Sequence, residues 1–161
     1  MAQTHALAQA IARLVRRGDV VLLVGELGSG KTAFTKGFGA ALGTAGEITS
    51  PTFTIMRDYP VVLSDGGPAL FLHLDAYRLD GPGAVEDIGL PELLDEGAFA
   101  VIEWGDIVAD AFGHDPLVIE FTPTSDEVRD IVLSASSEGP WAGRLVEWSA
   151  GSPSPVHGAH P

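Results

Sequence analysis

One short segment constrains the fold of this chain more than any other: residues 25–32 read Gly-Glu-Leu-Gly-Ser-Gly-Lys-Thr. They match the phosphate-binding loop pattern, in which glycines let the backbone turn tightly and direct its N–H groups toward phosphate. An apolar run at residues 20–24 precedes the loop, and a helical pattern at residues 31–42 follows it and ends at Gly43. Strand, glycine-rich loop and helix form the context that the motif requires, so we predict a P-loop nucleotide hydrolase.

The predicted loop carries groups that bind a phosphate chain and its metal. The positive end of the following helix attracts an anion, and Lys31 is expected to reach the β- and γ-phosphates. The Thr32 hydroxyl is expected to bind Mg²⁺. Trp104 lies next to a candidate metal-binding acid, Glu103, and is therefore expected near the nucleotide. The predicted nucleotide-binding residues are Glu26, Leu27, Gly28, Ser29, Gly30, Lys31, Thr32, Ala33 and Trp104.

The metal needs a second, acidic anchor at the carboxyl end of a neighbouring strand, and two residues qualify. Asp75 ends the apolar run at residues 70–74, and Glu103 ends the run at residues 99–102. Either acid is a candidate for the metal-binding carboxylate, and the other would then orient the attacking water. The residues alone leave this choice open.

Other side chains carry weaker signals. Residues 50–53 read Ser-Pro-Thr-Phe after the P-loop helix, where switch loops commonly lie, so a hydroxyl there could sense the γ-phosphate or the metal. Arginines often stabilise the charge on a transferred phosphoryl group. For Arg57 we favour a surface ion pair, whereas for Arg78 the two roles are balanced. We interpret His73 as a core or hydrogen-bonding histidine.

The remaining pattern predicts one α/β domain over residues 1–148, a single P-loop NTPase domain. Further strands are predicted at residues 54–59, 69–75, 98–102, 117–121 and 128–135, and helices near residues 85–94, with an interruption near Pro91, and 141–148. A turn at residues 64–67 indicates a hairpin, so we expect a mixed, mainly parallel central sheet flanked by helices, with a C-terminal antiparallel strand pair. Residues 149–161 are rich in Gly, Ser, Pro and His and are predicted to be a disordered C-terminal tail.

Composition narrows the functional classes. The formal net charge is −13, which disfavours direct binding to nucleic acid because such binding depends on Lys and Arg. The absence of cysteine excludes disulfides and thiolate metal sites. No apolar run reaches the roughly 18 residues that span a bilayer, and no secretory signal pattern is present. We therefore expect a cytoplasmic protein with no membrane association.

The type of P-loop protein follows from two absences. The chain contains no asparagine, so the Asn-Lys-x-Asp guanine-binding motif of GTPases cannot be present. No Arg or Lys lies between Arg78 and Arg129, so the basic lid of a small-molecule kinase is hard to build. Both absences favour an ATPase that serves a partner, with ATP and Mg²⁺ as cofactors. A small-molecule kinase and a nucleotide-dependent binding switch stay as alternatives.

Several motifs together resemble one family. Five segments occur in this order: Gly-Glu-Leu-Gly-Ser-Gly-Lys-Thr at 25–32, Thr-Ser-Pro-Thr-Phe at 49–53, His-Leu-Asp-Ala-Tyr-Arg at 73–78, Glu-Asp-Ile-Gly-Leu at 86–90 and Ile-Glu-Trp at 102–104. The chain is similar over residues 4–148 to the bacterial TsaE (YjeE) family, the ATPase of tRNA threonylcarbamoyladenosine biosynthesis.

The resemblance implies more than the residues do by themselves. It implies that ATP hydrolysis supports repeated cycling of a complex with the TsaD and TsaB subunits, which modifies adenosine 37 of tRNAs that read codons starting with A. The tRNA would be met only through that complex. Thr32 and Glu103 would hold Mg²⁺, Asp75 would serve hydrolysis, with Lys31 at the phosphates, and Thr52 would belong to a switch-like loop.

Overall fold

The computed structural model describes residues 2–46, 48–49, 55–125 and 128–151. These residues form a six-stranded sheet with the order β2-β3-β4-β1-β5-β6. The strands are β1 Val20–Gly25, β2 Met56–Val62, β3 Pro68–Asp75, β4 Phe99–Glu103, β5 Leu117–Pro123 and β6 Arg129–Ser134. The four central strands are parallel, while β2 and β6 are antiparallel edge strands. This confirms the predicted mixed sheet and its C-terminal antiparallel pair.

Helices cover both faces of the sheet. They are α1 Ala2–Leu14, α2 Lys31–Ala41, α3 Ala84–Asp87, α4 Leu90–Asp95 and α5 Ala142–Gly151. Short 3₁₀ turns lie at Ala76–Arg78, Gly105–Ile107 and Ala109–Ala111. No helix in the described ranges is both long and apolar enough to cross a bilayer.

The central strand β1 explains why its sequence is apolar without alternation. Val21 and Leu23 are buried in the core cluster that contains the side chains of α1 and α2. Val20 and Leu22 point the other way and are buried in the second cluster, together with residues of α3 and α4. A parallel strand covered on both faces has no polar side, so period-two alternation is absent.

Aromatic side chains fix α2 against the sheet. The Phe38 ring centroid lies 5.3 Å from that of Phe71 and 6.3 Å from that of Phe99. Phe34 packs edge-on against Phe121 with a centroid distance of 6.0 Å. These pairs join the helix that follows the glycine loop to strands β3, β4 and β5, and they therefore hold its first turn at the carboxyl edge of the sheet.

Two helical segments differ from the sequence prediction. The interruption predicted near Pro91 lies at Gly89, whose φ of 70° is left-handed, and Pro91 instead occupies the first turn of α4. Proline suits that position because its missing N–H would have no helical partner.

The last helix also differs, since α5 continues through Gly151 and so includes the first three residues of the predicted tail, 149–151. The Ser149 hydroxyl donates to Val146 O at 2.9 Å, so serine supports this last turn rather than ending it. Residues 152–161 lie outside the described residues.

A buried ion pair joins α5 to the start of β1. Arg144 donates from Nη1 to Asp19 Oδ2 at 2.5 Å and from Nη2 to Asp19 Oδ1 at 2.8 Å. It also donates to Leu14 O at 2.7 Å and Pro140 O at 2.8 Å, and its guanidinium lies 4.1 Å from the Trp141 ring centroid. The C-terminal helix is thus attached to the amino end of the central strand through charge, hydrogen bonds and an aromatic face.

Candidate nucleotide-binding site

The glycine loop joins β1 to α2, and two of its glycines have positive φ and close neighbours, which are backbone at Gly25 and the end of a movable side chain at Gly30. A Cβ on Gly25, where φ is 145°, would lie 2.6 Å from Phe121 O. A Cβ on Gly30, where φ is 114°, would lie 2.6 Å from Arg129 Nη1. Gly30 precedes α2 without a side-chain cap, so no side chain satisfies the first N–H groups of that helix at this position. Uncapped N–H groups at a helix N-terminus form a site for an anion.

Lys31 supplies the positive charge at this loop. Its Nζ donates to Gly25 O at 2.6 Å and to Glu26 O at 2.9 Å, and the Trp104 ring centroid lies 3.9 Å from it. Burial lowers the pKa of Lys31, while the nearby carboxylates of Glu103, Asp106 and Asp75 act in the opposite direction. A partly desolvated ammonium with two neutral acceptors is a strong attractor for phosphate oxygens.

Glu103 is the acceptor at the centre of the site. Its Oε2 accepts from Thr32 Oγ1 at 2.8 Å, and its Oε1 accepts from His73 Nε2 at 2.9 Å and from Thr35 Oγ1 at 3.4 Å. The side chain is buried, with 4% of its surface exposed. The structure confirms His73 as a hydrogen-bonding core histidine, and it shows that three side chains fix the orientation of this carboxylate.

The residues around Thr32 fit Mg²⁺ better than a metal held by protein alone. Among the described residues, no group of three or more His, Cys, Asp or Glu side chains could hold a metal ion. Mg²⁺ usually takes only one or two carboxylates, and its remaining ligands are waters and substrate phosphates. A hydroxyl beside an oriented carboxylate at the phosphate loop matches that requirement.

Asp75 lies beside Glu103 but in a different environment. The two residues are register partners on adjacent parallel strands, β3 and β4. Asp75 Oδ1 accepts from Tyr77 N at 3.1 Å and caps the 3₁₀ turn that follows β3. The structure therefore brings both candidate acids to one edge, with Glu103 against Thr32 and Asp75 one strand further out.

Most of the predicted nucleotide-binding residues, together with Asp75 and Glu103, line one cavity of about 380 Å³, but Glu26 is not among the described residues that line it. Its lining consists of Leu27, Gly28, Ser29, Gly30, Lys31, Thr32, Ala33, Asp75, Glu103, Trp104 and Arg129. A larger cavity of about 590 Å³ lies around Asp19, Phe112 and Pro140, at the amino end of β1, and contains none of the predicted site residues. The chemistry of the lining, rather than the volume, identifies the smaller cavity as the candidate site.

Trp104 is held at the mouth of the cavity by an unusual backbone. With a φ of 58°, it is the only non-glycine residue with positive φ among those described. Gly105 follows so close to β1 that a Cβ would lie 2.6 Å from Leu22 Cβ. The Tyr77 ring centroid lies 5.0 Å from that of the indole ring. This turn projects the indole from the carboxyl end of β4 toward the loop.

Two charged residues of the site were absent from the sequence prediction. The negative charge of Asp106 acts to raise the pKa of Lys31. Arg129 Nη1 donates to Ser29 O at 3.2 Å. Arg129 lies 100 positions after Ser29, so no local motif connects them. The only available signal was the scarcity of cations, nine in the whole chain.

Three other candidates are not placed in the cavity. Arg57 donates to Thr49 Oγ1 at 2.9 Å, and neither Arg57 nor Arg78 is among the described residues that line the cavity. Thr52, with the rest of residues 50–53, lies outside the described residues.

Comparisons with known proteins agree on one family. The sequence model of the threonylcarbamoyl adenosine biosynthesis protein TsaE matches residues 1–131. A protein of Streptomyces coelicolor named tRNA threonylcarbamoyladenosine biosynthesis protein TsaE is 41% identical over 150 residues, which cover 90% of this chain and 98% of that protein. A protein of the same name from Bacillus subtilis is 36% identical, over 83% of this chain and 80% of its own length.

A solved structure supports the same relationship. The crystal structure of YdiB from Bacillus subtilis superposes with a TM-score of 0.69 and 30% sequence identity, covering 92% of this chain and 88% of that one.

Proposed function

The chain belongs to the TsaE family, and from this premise we propose that it is a Mg²⁺-dependent ATPase required for threonylcarbamoylation of adenosine 37 in tRNAs reading codons that start with A. The observation that carries the ATPase proposal is the contact of 2.8 Å between Thr32 Oγ1 and Glu103 Oε2 beside the buried Lys31. It joins a phosphate-loop hydroxyl to an oriented carboxylate, which is the minimum protein contribution to a Mg²⁺–nucleotide site.

In this proposal the loop binds the triphosphate first. Lys31 exchanges its two carbonyl acceptors for β- and γ-phosphate oxygens, which compensates for the desolvation that lowers its pKa. The N–H groups of the loop and of the first turn of α2 donate to the remaining phosphate oxygens. Thr32 and Glu103 would hold Mg²⁺, which neutralises charge on the phosphate oxygens. His73 and Thr35 keep Glu103 in place.

Hydrolysis then needs a positioned water, and Asp75 is the residue we assign to it. Asp75 lies one strand beyond Glu103 at the same edge and lines the same cavity. The water oxygen attacks the γ-phosphorus, the bond from that phosphorus to the bridging oxygen breaks, and ADP, inorganic phosphate and one proton of the water are released. Because positioning and electrostatics supply most of the catalysis of phosphoryl transfer, one oriented carboxylate is sufficient for slow turnover.

The partner proposal rests on the surface of the chain and on its family. We infer that the protein works with the TsaD and TsaB subunits in the cytoplasm, and that it meets tRNA only through them. Its net charge of −13 disfavours direct binding to tRNA. Leu27 and Tyr77 stand 89% and 65% exposed at the rim of the cavity, where a partner can sense the nucleotide state. Thr52 belongs to the proposed switch-like loop.

The decisive experiment measures ATP hydrolysis by the purified protein, alone and with TsaD and TsaB from the same source. We expect slow hydrolysis alone and a marked change with the partners. If the partners do not change the rate of hydrolysis although ATP binds normally, the site does not act in tRNA modification. That result would favour a small-molecule kinase.

Matched lysine variants test the site itself. Lys31→Ala should abolish ATP binding or hydrolysis without unfolding the domain, while Lys36→Ala, the only other lysine and an exposed residue of α2, should keep both.

Asp75→Ala should keep complex formation and lose modification. If it keeps modification, hydrolysis is not required and the chain acts as a binding switch.

A further inference from the structure

Arg129 is the one cation of the cavity that the proposed mechanism does not use. It begins β6, where it is the register partner of Pro123 at the end of β5. Its Nη1 donates to Ser29 O at 3.2 Å and lies where a side chain on Gly30 would be. The guanidinium therefore covers the outer side of the glycine loop and lines the cavity beside it.

The position of Arg129 across the sheet decides which end of the nucleotide it can meet. The strand order β4-β1-β5-β6 puts Glu103 on one side of the loop strand and Arg129 on the other. Three strand spacings, about 14 Å, separate β4 from β6. Because Thr32, Glu103 and Asp75 occupy the metal side, the γ-phosphate belongs there, and the chain of phosphates leads away from it toward β5 and β6.

The charge of Arg129 is available to a ligand. Within the described residues it forms no ion pair, and its only hydrogen bond is to a neutral carbonyl. A guanidinium has five N–H donors and a flat face that stacks on aromatic rings, so one bond to the loop leaves most of the group for recognition.

We propose that Arg129 is the nucleoside-binding residue of this site, stacking its guanidinium on the base of ATP or ADP while its bond to Ser29 keeps it over the loop. This rests on the proposed function, since it requires that the loop bind a nucleotide. A stacked arginine contributes affinity that is insensitive to the number of phosphates. It is distinct from an arginine that stabilises the transferred phosphoryl group, which would act on turnover.

The test compares three ligands with the full chain: ATP, ADP and inorganic tripolyphosphate, each measured by calorimetry in the presence of Mg²⁺. For Arg129→Gln we expect ATP and ADP to bind about tenfold more weakly, to the same degree, because base stacking is lost. Tripolyphosphate, which has no base, should bind as it does to the unchanged protein. The KM for ATP in hydrolysis should rise by a similar factor.

Two further variants keep the result interpretable. Arg129→Lys retains the charge but loses the flat face, so it should weaken both nucleotides nearly as much as Arg129→Gln and also spare tripolyphosphate. Arg13→Gln removes one positive charge at the exposed end of α1 and should leave all three affinities unchanged.

Each other result overturns the proposal in a recognisable way. Equal weakening of tripolyphosphate would mean that Arg129 only shapes the loop, and loss of ATP but not ADP binding with slower turnover would place it at the γ-phosphate. Unchanged affinities for Arg129→Gln would remove it from the site while the ATPase proposal stands. If the unchanged protein binds neither ATP nor ADP, the proposed function fails as well.

Discussion

Two buried groups of charged side chains lie at opposite ends of β1, and the protein holds them differently. At the amino end, Asp19 and Arg144 form a two-bond ion pair whose guanidinium also reaches two carbonyls and an aromatic face. At the carboxyl end, Lys31 has two carbonyl acceptors and Glu103 has three side-chain donors, but the two charges have no hydrogen bond to each other. The same strand thus connects a paired cluster and a separated one.

The difference shows what each end is for. In the amino-end cluster, the two opposite charges bind each other directly, because a buried charge without its partner would destabilise the fold. In the carboxyl-end cluster, burial lowers the pKa of Lys31, and Ser29 Oγ and His73 Nδ1 have no hydrogen-bond partner among the described residues, whereas the unpartnered atom of the amino-end cluster is the uncharged Trp141 Nε1. A buried polar group without a hydrogen-bond partner destabilises the fold, and a bound ligand can supply the missing partner. The amino-end cluster therefore has the character of a structural contact, and the carboxyl-end cluster supports the proposal that this end binds a ligand.

The largest effect should come from breaking the paired cluster. Arg144→Ala leaves the Asp19 carboxylate buried without its cation, so we expect a loss of about 3–5 kcal/mol in the free energy of unfolding. Urea denaturation measures it. Arg17→Ala is the matched control, because Arg17 pairs with Asp65 on the exposed surface and should matter much less. Similar losses for the two variants would contradict the comparison.

Breaking the separated cluster should affect binding instead. Lys31→Met removes the loop ammonium but keeps an unbranched chain, so ATP affinity should fall by about a hundredfold, or about 3 kcal/mol. The free energy of unfolding without nucleotide should change by no more than about 1 kcal/mol, because a desolvated charge is lost along with its hydrogen bonds. Calorimetry and urea denaturation on one sample give both numbers. A loss of stability comparable to that of Arg144→Ala would show that both ends are structural.

A double variant sharpens the interpretation of the ion pair. Asp19→Asn combined with Arg144→Leu leaves no unpaired buried charge, so it should cost about 2 kcal/mol less than the sum of the two single variants. The three urea midpoints and slopes give this coupling energy. Strict additivity would mean that the two side chains stabilise the fold independently.

The smallest effect concerns the backbone next to the separated cluster. Trp104→Gly loses ring contacts with Tyr77 but relieves a left-handed conformation that costs a non-glycine residue about 1–2 kcal/mol. We expect the free energy of unfolding to change by less than about 1 kcal/mol. By contrast, Trp141→Ala empties a fully buried site beside Arg144 and should cost about 3–5 kcal/mol. Thermal unfolding of the two variants side by side tests this, and equal costs would refute it.

Sequence reasoning succeeded where the physics is local. The glycine loop, the buried strand before it and the helix after it were predictable from adjacent residues, as were the two acids at strand ends, because carboxyl ends of parallel strands meet at one edge. The sequence could not order Asp75 and Glu103 by their distance from Thr32, since that order depends on which strand lies next to β1.

Sequence reasoning failed where contacts join distant segments. Arg129 reaches the loop only because β6 pairs with β5 and β5 pairs with β1. Asp19 and Arg144 are 125 positions apart, and nothing near either residue indicates the other. The last turn of α5 was missed because serine and glycine are as common in helix ends as in tails, so composition alone could not separate them.

The position of β1 between β4 and β5 has a consequence for how the molecule is made. The two parallel neighbours of β1 come from segments that follow it by about 80 and 96 positions, as the partners Val20–Ala100 and Val21–Leu117 show. At 5–20 residues per second, a ribosome needs roughly 5–20 s to supply them. For that time the emerging phosphate loop has no sheet to hold it. If the proposed function is correct, nucleotide binding is therefore a late event of biogenesis, which follows nearly all of the long-range strand pairing.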